Sequence, residues 1–485
     1  MNGKSVIYQR AHPKVEVYAP NNPALPILVF HAASRAKLLS YHFSLSNGDT
    51  SGSFSMTFFP DYQDDAGIVH SLFDDFQKLQ IVKIYEGNGL PANKPVFTGI
   101  VRSKKYAGQA SDSGGIRRLN ISGTAITGLV SQFYINLDVS ACALTEQYAE
   151  SEHLKKALTL ENGKPNTSVK EIILRVWECF YKISEQFGTP KIAEFINTFA
   201  GGVIGMFDVD NSRFHYPLGC LFQGRQTQDF FSLIDTLVPE PVYEKFAYTD
   251  PATGMMRIKI RKVAFDAQDW QKLSAKAPVI PAKIVKSFDL TESDEEVYTA
   301  FYAYLNGYPV DEQKSLVIST MDASAKKIDT TLKANNDTFK TYGYRPLVAH
   351  FIGYGVRDGM DDGQSASNMA ELSQKLHDWY KDFPDMLSGS ITLAMTFSNE
   401  AGQNPIQVGE AVKFLGGEFY VDGISHSWNY GEGGEINLSV SRGGTYAGGR
   451  FCGKIANLTN SIRLLQDGKT PNSKPATPVF ASLNR

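Results

Sequence analysis

The sequence predicts a mainly β protein with α insertions: two antiparallel β-barrel domains related by internal duplication, with a helical and mixed domain between them. Three observations predict it. Aromatic residues make up 12% of the chain, with 30 Phe and 23 Tyr, and flat rings pack well on pleated faces. Apolar and polar residues alternate with a period of two near both ends of the chain. A set of strand motifs near the N-terminus recurs in the same order near the C-terminus. At 485 residues the chain exceeds what one core serves, and roughly two to four domains are expected. The divisions read as 1–140, the first barrel; 141–280, a helical and mixed insertion; 281–450, the second barrel with an inserted helix near 367–383; and 451–485, a C-terminal arm.

The first 140 residues read as strands and turns. Tyr41, Phe43 and Leu45 alternate with polar residues, as do Phe54, Met56 and Phe58, and the turn NGDTSG separates the two runs. A second pair follows, QIVKIYEG and VFTGIVRSKKYAG, and RRLNISGTAI closes the region. Beyond 140 the pattern changes. Ser168 and Glu171 form a capping box, and Val169, Ile172, Ile173, Val176, Trp177, Phe180, Ile183 and Phe187 recur at helical spacing until Gly188 and Pro190. The apolar run 191–207 is broken by Gly201 and Gly202, and DFFSLIDTLVPEP is a short helix ended by Pro239. PVYEKFAY and MMRIKIRKVAF form a hairpin across DPATG. The Pro- and Lys-containing stretch 272–285 is the boundary, followed by an acidic turn and the aromatic strand VYTAFYAYL. Residues 310–365 carry no clear pattern. Met369, Leu372, Leu376, Trp379, Tyr380 and Phe383 mark one amphipathic helix stopped by Pro384. Ile391, Leu393, Met395 and Phe397 then alternate as a strand, and the polar tail from about 465 reads as a flexible arm.

The repeat is the most informative feature. QIVKIYEG, VFTGIVRSKKYAG and GGIRRLNISG are matched by EAVKFLGG, EFYVDGISHSWNYGEG and GEINLSVSRGG. Both copies carry V-K before an apolar pair and G-I-x-x-S-x-x-Y, at Gly99–Tyr106 and Gly423–Tyr430. Both end in L-x-[IV]-S, at Leu119–Ser122 and Leu438–Ser441. Two similar modules in one chain let a trimer form a ring of six near-equivalent units through heterologous contacts.

Specific catalytic patterns are absent. Net charge is −3, which does not support a dominant basic surface for nucleic acid. Cys142, Cys179, Cys220 and Cys452 make neither a CxxC pair nor a disulfide framework. The nine His are scattered without HExxH or HxH spacing, and His426 reads as a satisfied sheet histidine. Neither GxSxG nor GxxxxGK[ST] occurs. DVDN at 208–211 and DGMDDG at 358–363 begin like calcium loops but lack the Gly and Glu that complete one, and read as solvated turns, as does Glu295–Glu296. Aromatic strands such as VYTAFYAYL could stack sugars or bases but read as core or subunit interface. No catalytic, cofactor-binding or metal-ligating residue is assigned. No apolar run approaches about 20 residues and the first residues carry no h-region, so a soluble chain made in the cytoplasm is expected.

At the C-terminal copy, VGEAVKFLGGEFYVDGISHSWNYGEGGEINLSVSRGG resembles the closing barrel of tail-tube-like baseplate hub proteins. These occur in contractile phage tails and related injection systems, and include phage late control protein D and the hub part of type VI secretion spike proteins. The positions that carry the resemblance are Tyr420, Asp422–Gly423, His426, Trp428, Gly433–Gly434 and Arg442–Gly443. PVFTGIVRSKKY resembles a strand of the first barrel, and AKIVKSFDLTESDEEVYTAFYAY the strand that opens the second. The resemblance implies two tail-tube-like barrels and a non-enzymatic homotrimer without cofactors. Six barrels would match a sixfold tail tube protein on one side and a threefold central spike protein on the other, beside baseplate wedge proteins. DNA or effectors would pass through the lumen without sequence-specific binding, and the protein would not itself insert in a membrane. It would reside in the virion baseplate after assembly in the host cytoplasm. The alternatives are a carbohydrate-active or cell-wall-degrading β protein of a virion, which needs two carboxylates across a cleft, and a small-ligand-binding barrel.

Overall fold

In the computed structural model of the chain the described residues are, apart from short gaps, 13–86, 94–109, 116–136, 202–305, 336–351, 362–395 and 406–456, with isolated residues at 167–199 and at 458 and 462. The N-terminal strands are β1 (Lys14–Ala19), β2 (Asn22–Phe30), β3 (Leu38–Ser46), β4 (Ser53–Phe58), the short pair β5 (Asp61–Gln63) and β6 (Val69–Ser71), β7 (Ile81–Tyr85), β8 (Phe97–Gln109) and β9 (Ile116–Ala125). Alternation decides which side is buried. In β4, Phe54, Met56 and Phe58 go inside while Ser53 and Ser55 face out. The expected strands are all present, in the antiparallel order β3-β4-β9-β8-β7-β1-β2.

The middle region contributes small sheets. β10 (Tyr134–Asn136) pairs with β14 (Thr227–Asp229), and β11 (Thr167–Ser168) with β13 (His215–Tyr216). Most of the 169–187 helix and the 191–201 run lie outside the described residues, as does Glu171 of the capping box, while Ser168 ends β11. The short helix is observed at Phe230–Leu237. The expected hairpin is β15 (Tyr243–Thr249) with β16 (Met256–Lys262). β12 (Phe207–Val209), one of the short strands that carried no signal in the sequence, adds to β16 in parallel. Asp208 and Val209 of DVDN therefore lie in a strand rather than a solvated turn, and Asn211 lies outside the described residues. Stretch 272–285 is ordered on the second meander: it begins in the helix Ala267–Lys276, and Ile280 and Ala282 are buried.

The C-terminal strands are β17 (Val285–Thr291), β18 (Ala300–Leu305), β19 (Pro346–Phe351), β20 (Leu387–Ala394), β21 (Ala411–Phe414), β22 (Gly417–Asn429), β23 (Gly433–Ala447) and β24 (Arg450–Gly453). β18 of the aromatic segment pairs in parallel with β19 in a sheet of its own, not with β17. The expected amphipathic helix is Asp362–Tyr380. Its Leu372, Leu376 and Trp379 join Trp177, Phe207, Phe230, Ile258 and Phe301 in a second hydrophobic core. The inserted helix thus packs on the middle region's core. Residues 358–361 of DGMDDG and the tail beyond 462 lie outside the described residues.

The two meanders repeat each other in strand order. The first reads β3-β4-β9-β8 with β7 on β8; the second reads β17-β20-β23-β22 with β21 on β22. They also repeat in register. Ser55 faces Ser122 and Thr57 faces Asn120, as Ser390 faces Ser439 and Thr392 faces Asn437. Register irregularities fall at matching places: Leu38/Ser40 and Val285/Ser287, then Val101/Ser103 and Val421/Gly423. LLSYHFS is thereby matched with VKSFDLT, SFSMTF with SGSITL, and LNIS with INLS. The expected alignment of Gly99 with Gly423 is corrected. Ser103 faces Ser122 as Gly423 faces Ser439, so Ser103 is the equivalent of Gly423. An alignment slipped by an even number of residues keeps every side chain on its proper face, so alternation alone could not reject it.

Candidate functional site: a seam, a polar face and two free edges

The meanders are not separate bodies. β3 pairs antiparallel with the C-terminal half of β22, from Gly423–Ser46 to Asn429–Ser40, and the whole becomes one sheet of 13 strands. Beneath this seam lies a buried polar cluster. His426 Nδ1 sits 3.0 Å from both carboxylate oxygens of Glu86, and the Tyr41 hydroxyl donates to Glu86 at 2.6 Å. Burial first, and then the Glu86 charge, pushes the Tyr41 phenol well above its ordinary range, so it serves as a fixed donor. The rings close around the cluster: His426 stacks on Phe43 at 4.5 Å and Trp428 on Tyr41 at 6.1 Å. Each copy supplies half of the contact. His426 is thus a satisfied sheet histidine, as the sequence suggested; Glu86, its partner, carried no sequence signal.

One face of the sheet is covered by the core. The other carries hydroxyls and amides. In the first copy Ser55, Thr57, Asn120 and Ser122 stand on adjacent strands; in the second Ser390, Thr392, Asn437 and Ser439 do; Ser44 and Ser425 meet at the seam. Ser44 and Ser53 Oγ atoms are 2.9 Å apart, and the Thr57 hydroxyl donates to Asn120 at 3.1 Å. These positions are uncharged and partly or fully exposed. Charge flanks these positions: Lys105 stands opposite Asn120, Asp289 opposite Ser390, and Lys286 pairs with Glu435. Such a face offers mainly short-range hydrogen bonds.

Two edges remain. Among the described residues no strand pairs with the outer edge of β17, or with β8 beyond Arg102 on the side away from β9. In the second copy β3 covers the place that corresponds to the open half of β8.

Other groups that could carry chemistry are accounted for by packing. Asp208 takes Tyr248 at 2.7 Å and Lys259 at 3.2 Å, and Lys259 also reaches Asp210 at 2.8 Å. Burial raises the Asp208 carboxyl, but the Tyr248 hydrogen bond and Lys259 outweigh it and leave it below its ordinary value. Among the described residues no group of three or more His, Cys, Asp and Glu is placed to hold a metal ion. Phe301 of the aromatic strand is buried in the second core. A cleft of about 310 Å³ lies between the second meander and the middle region, lined by Glu240, Glu244, Glu296, Phe265, Asp422 and Arg442 among others. Burial pushes the Asp422 carboxyl up to about 6, against the Ser441 hydrogen bond and the Arg442 charge. Arg442, a residue of the Arg-Gly pair, is buried. It donates to the Trp379 carbonyl at 2.7 Å and lies 3.4 Å from the Phe265 ring centre. Glu244 is held by Arg261 and by the Tyr420 hydroxyl. Glu244 and Asp422 are thus braced by cations and hydroxyls.

No family profile matches the chain, and no curated protein matches it. Solved structures do. The chain is similar to a tail protein from Neisseria meningitidis, with 10% identity and a TM-score of 0.45, over 89% of this chain and 96% of that one. It is similar to a prophage tail protein from Shewanella oneidensis, with 12% identity and a TM-score of 0.43, over 92% and 100%. It is also similar to an E. coli component of the type VI secretion system that exhibits similarity to bacteriophage tail proteins, with 10% identity and a TM-score of 0.36, over 87% and 77%. These three solved structures are two tail proteins, one of them of a prophage, and a type VI secretion component.

Proposed function

We propose that the chain is a structural baseplate hub of a contractile tail. Three copies form an adaptor that joins the sixfold tail tube to the threefold central spike and continues the tube lumen. The observation that carries this reading is the repetition, in strand order and register, of one meander within a single sheet. A threefold assembly of such chains presents six near-equivalent walls. The hydroxyl-rich face suits the lumen wall, past which DNA or effector proteins move without sequence-specific contact. Residues 1–140 and 281–450 form the ring, 141–280 the middle domain and 451–485 an arm. The partners are tube, spike and wedge proteins, the role is not enzymatic, and the place is the virion baseplate after assembly in the host cytoplasm. Light scattering on the purified chain tests this: the expected mass is about three times 53.6 kDa. A species that stays monomeric at high concentration, alone and with tube protein, overturns it.

A further inference from the structure

The cleft between the second meander and the middle region holds a charge that the repeat does not require. One of its lining residues is Asp422, which sits in the register irregularity between Val421 and Gly423. In the first copy the equivalent residue is Arg102, between Val101 and Ser103. The irregularity therefore accepts either sign of charge, and nothing in the strand geometry demands an acid there. Yet the second copy keeps a carboxyl at this place, buried and facing Glu244 and Glu296. Charge retained against burial and like charge is expected where a ligand uses it. We propose that this cleft binds an organic cation, the guanidinium or ammonium end of an alkyl chain, between Asp422, Glu296 and Glu240. The assignment goes beyond the hub reading and does not depend on it.

Three observations support it. The first is charge. The lining carries four carboxylates, Glu240, Glu244, Glu296 and Asp422, against one cation, Arg442. Glu244 is taken by Arg261, and Glu240 lies 3.5 Å from Lys245. Glu296 is exposed and enters no salt bridge among the described residues. Its charge reaches inward: burial first, and then charges that include Glu296, raise both the Asp422 carboxyl and the Tyr380 phenol. The second is the way the chain holds its own cation. The Arg442 guanidinium lies 3.4 Å from the Phe265 ring centre and 5.1 and 5.2 Å from those of Tyr380 and Phe383, and it donates to the Trp379 carbonyl. All three rings also line the cleft, so apolar surface for an alkyl stem stands beside the carboxylates. The third is size. A volume of about 310 Å³ lies at the small end of ligand pockets. Among the described residues no group of His, Cys, Asp and Glu is placed to hold a metal ion. A cation that brings its own alkyl stem fits this mixed lining better than a bare ion does.

The proton on Asp422 gives the test its readout. The charged groups that face it are Arg442 of β23, Glu244 of β15 and Glu296 of the loop before β18, with Glu240 on the approach to β15. A bound cation favours the ionised carboxyl, so binding is weak while Asp422 holds its proton and strengthens as pH rises through about 6. Agmatine and the capped peptide acetyl-Gly-Arg-Gly-amide are titrated into the full chain by calorimetry. At least one should bind saturably, and about tenfold more tightly at pH 7.5 than at pH 5. Asp422→Asn should weaken binding about tenfold and abolish its pH dependence, and Glu296→Gln should weaken it about threefold. Both variants should unfold at or above the temperature of the unmodified chain, because each removes like-charge repulsion. Glu432→Gln, at an exposed carboxylate in the turn beyond β22, should change nothing. The tighter probe identifies the source: agmatine points to a free amine, and the peptide to an arginine of a partner protein. Failure of both probes to bind the folded chain overturns the proposal. Binding that is the same at both pH values, or equally weakened by Glu432→Gln, overturns it as well. A chain that stays monomeric but binds as expected overturns the hub reading alone.

Discussion

At the scale of single residues, the seam is the most demanding place in the molecule. Glu86 is a buried carboxylate that accepts from Tyr41 and meets His426, with both residues near fully buried. Removing one partner strands the other. Glu86→Ala should cost about 3 kcal/mol, read from the urea midpoint. In a cycle with His426→Ala the two losses should fall short of additivity by more than about 1 kcal/mol. Additive losses would mean that the two side chains do not interact. Asp422 behaves in the opposite sense. Burial lifts its carboxyl to about 6 from 3.8, so the folded state binds a proton more tightly than the unfolded chain. Its contribution is therefore fully present below about pH 4 and lost as pH rises through about 6. Near neutrality the charged form is held at a cost of up to about 3 kcal/mol, at ~1.4 kcal/mol per pH unit. Asp422→Asn should raise stability at pH 7.5 by about 2 kcal/mol and gain nothing at pH 4. Equal gains at both values would refute the proton linkage. The sequence offered His426 and the Arg-Gly pair as marks, but neither Glu86 nor Phe265. Those partners come from strands and loops far away in the chain, so no local spacing announces them.

At the scale of elements, alternation and the repeated motifs placed β3, β4, β7, β8, β9, β20, β21, β22 and β23 of the large sheet, because one face of each is buried and the other wet, but not β1, β2, β17 or β24. They did not place the register of the repeat. What fixes the register is local geometry: the matching irregularities and one exchange of size. Phe54 faces Gly123 in the first copy, whereas Gly389 faces Val440 in the second. A Cβ on Gly123 would collide with the Ile100 carbonyl and with the Phe54 ring. Gly123→Val should therefore destabilise the chain by about 2 kcal/mol or more, as measured by thermal unfolding. Adding Phe54→Gly removes the clash with the ring, as Gly389 leaves room for Val440, though not the one with the Ile100 carbonyl. The double variant should be less damaged than the sum of the singles by more than about 1 kcal/mol. Full additivity would show that the exchange is incidental. The parallel addition of β12 to β16 stayed hidden for a different reason. Three residues are too few to show a period, and the pairing joins segments about fifty positions apart.

At the scale of the whole molecule, the prediction follows from the proposed ring, in which the internal seam, carried across the repeat, sets β17 of one chain against the half of β8 beyond Arg102 of the next. A chain with one donor edge and one acceptor edge can be blocked at either without touching the other. In the seam, Phe43 and His426 form a hydrogen-bonded pair, given the alternation from Asn47–Asp422. Their equivalents are Leu290 and Tyr106, so the amides of those two residues point away from their own sheet. Proline at either place removes an outward donor and spares the bonds to β20 or β9. Leu290→Pro keeps a working β8 edge, and Tyr106→Pro keeps a working β17 edge. Each variant alone should be a monomer near 53.6 kDa. Mixed in equal amounts, they share one intact junction and should give a 1:1 dimer that grows no further, because its two outer edges are the blocked ones. An isologous interface would behave differently, since damage to the shared patch would prevent the mixture from associating. Sedimentation of the mixture separates the cases: a dimer supports a heterologous ring, while a trimer or an unassociated mixture refutes it.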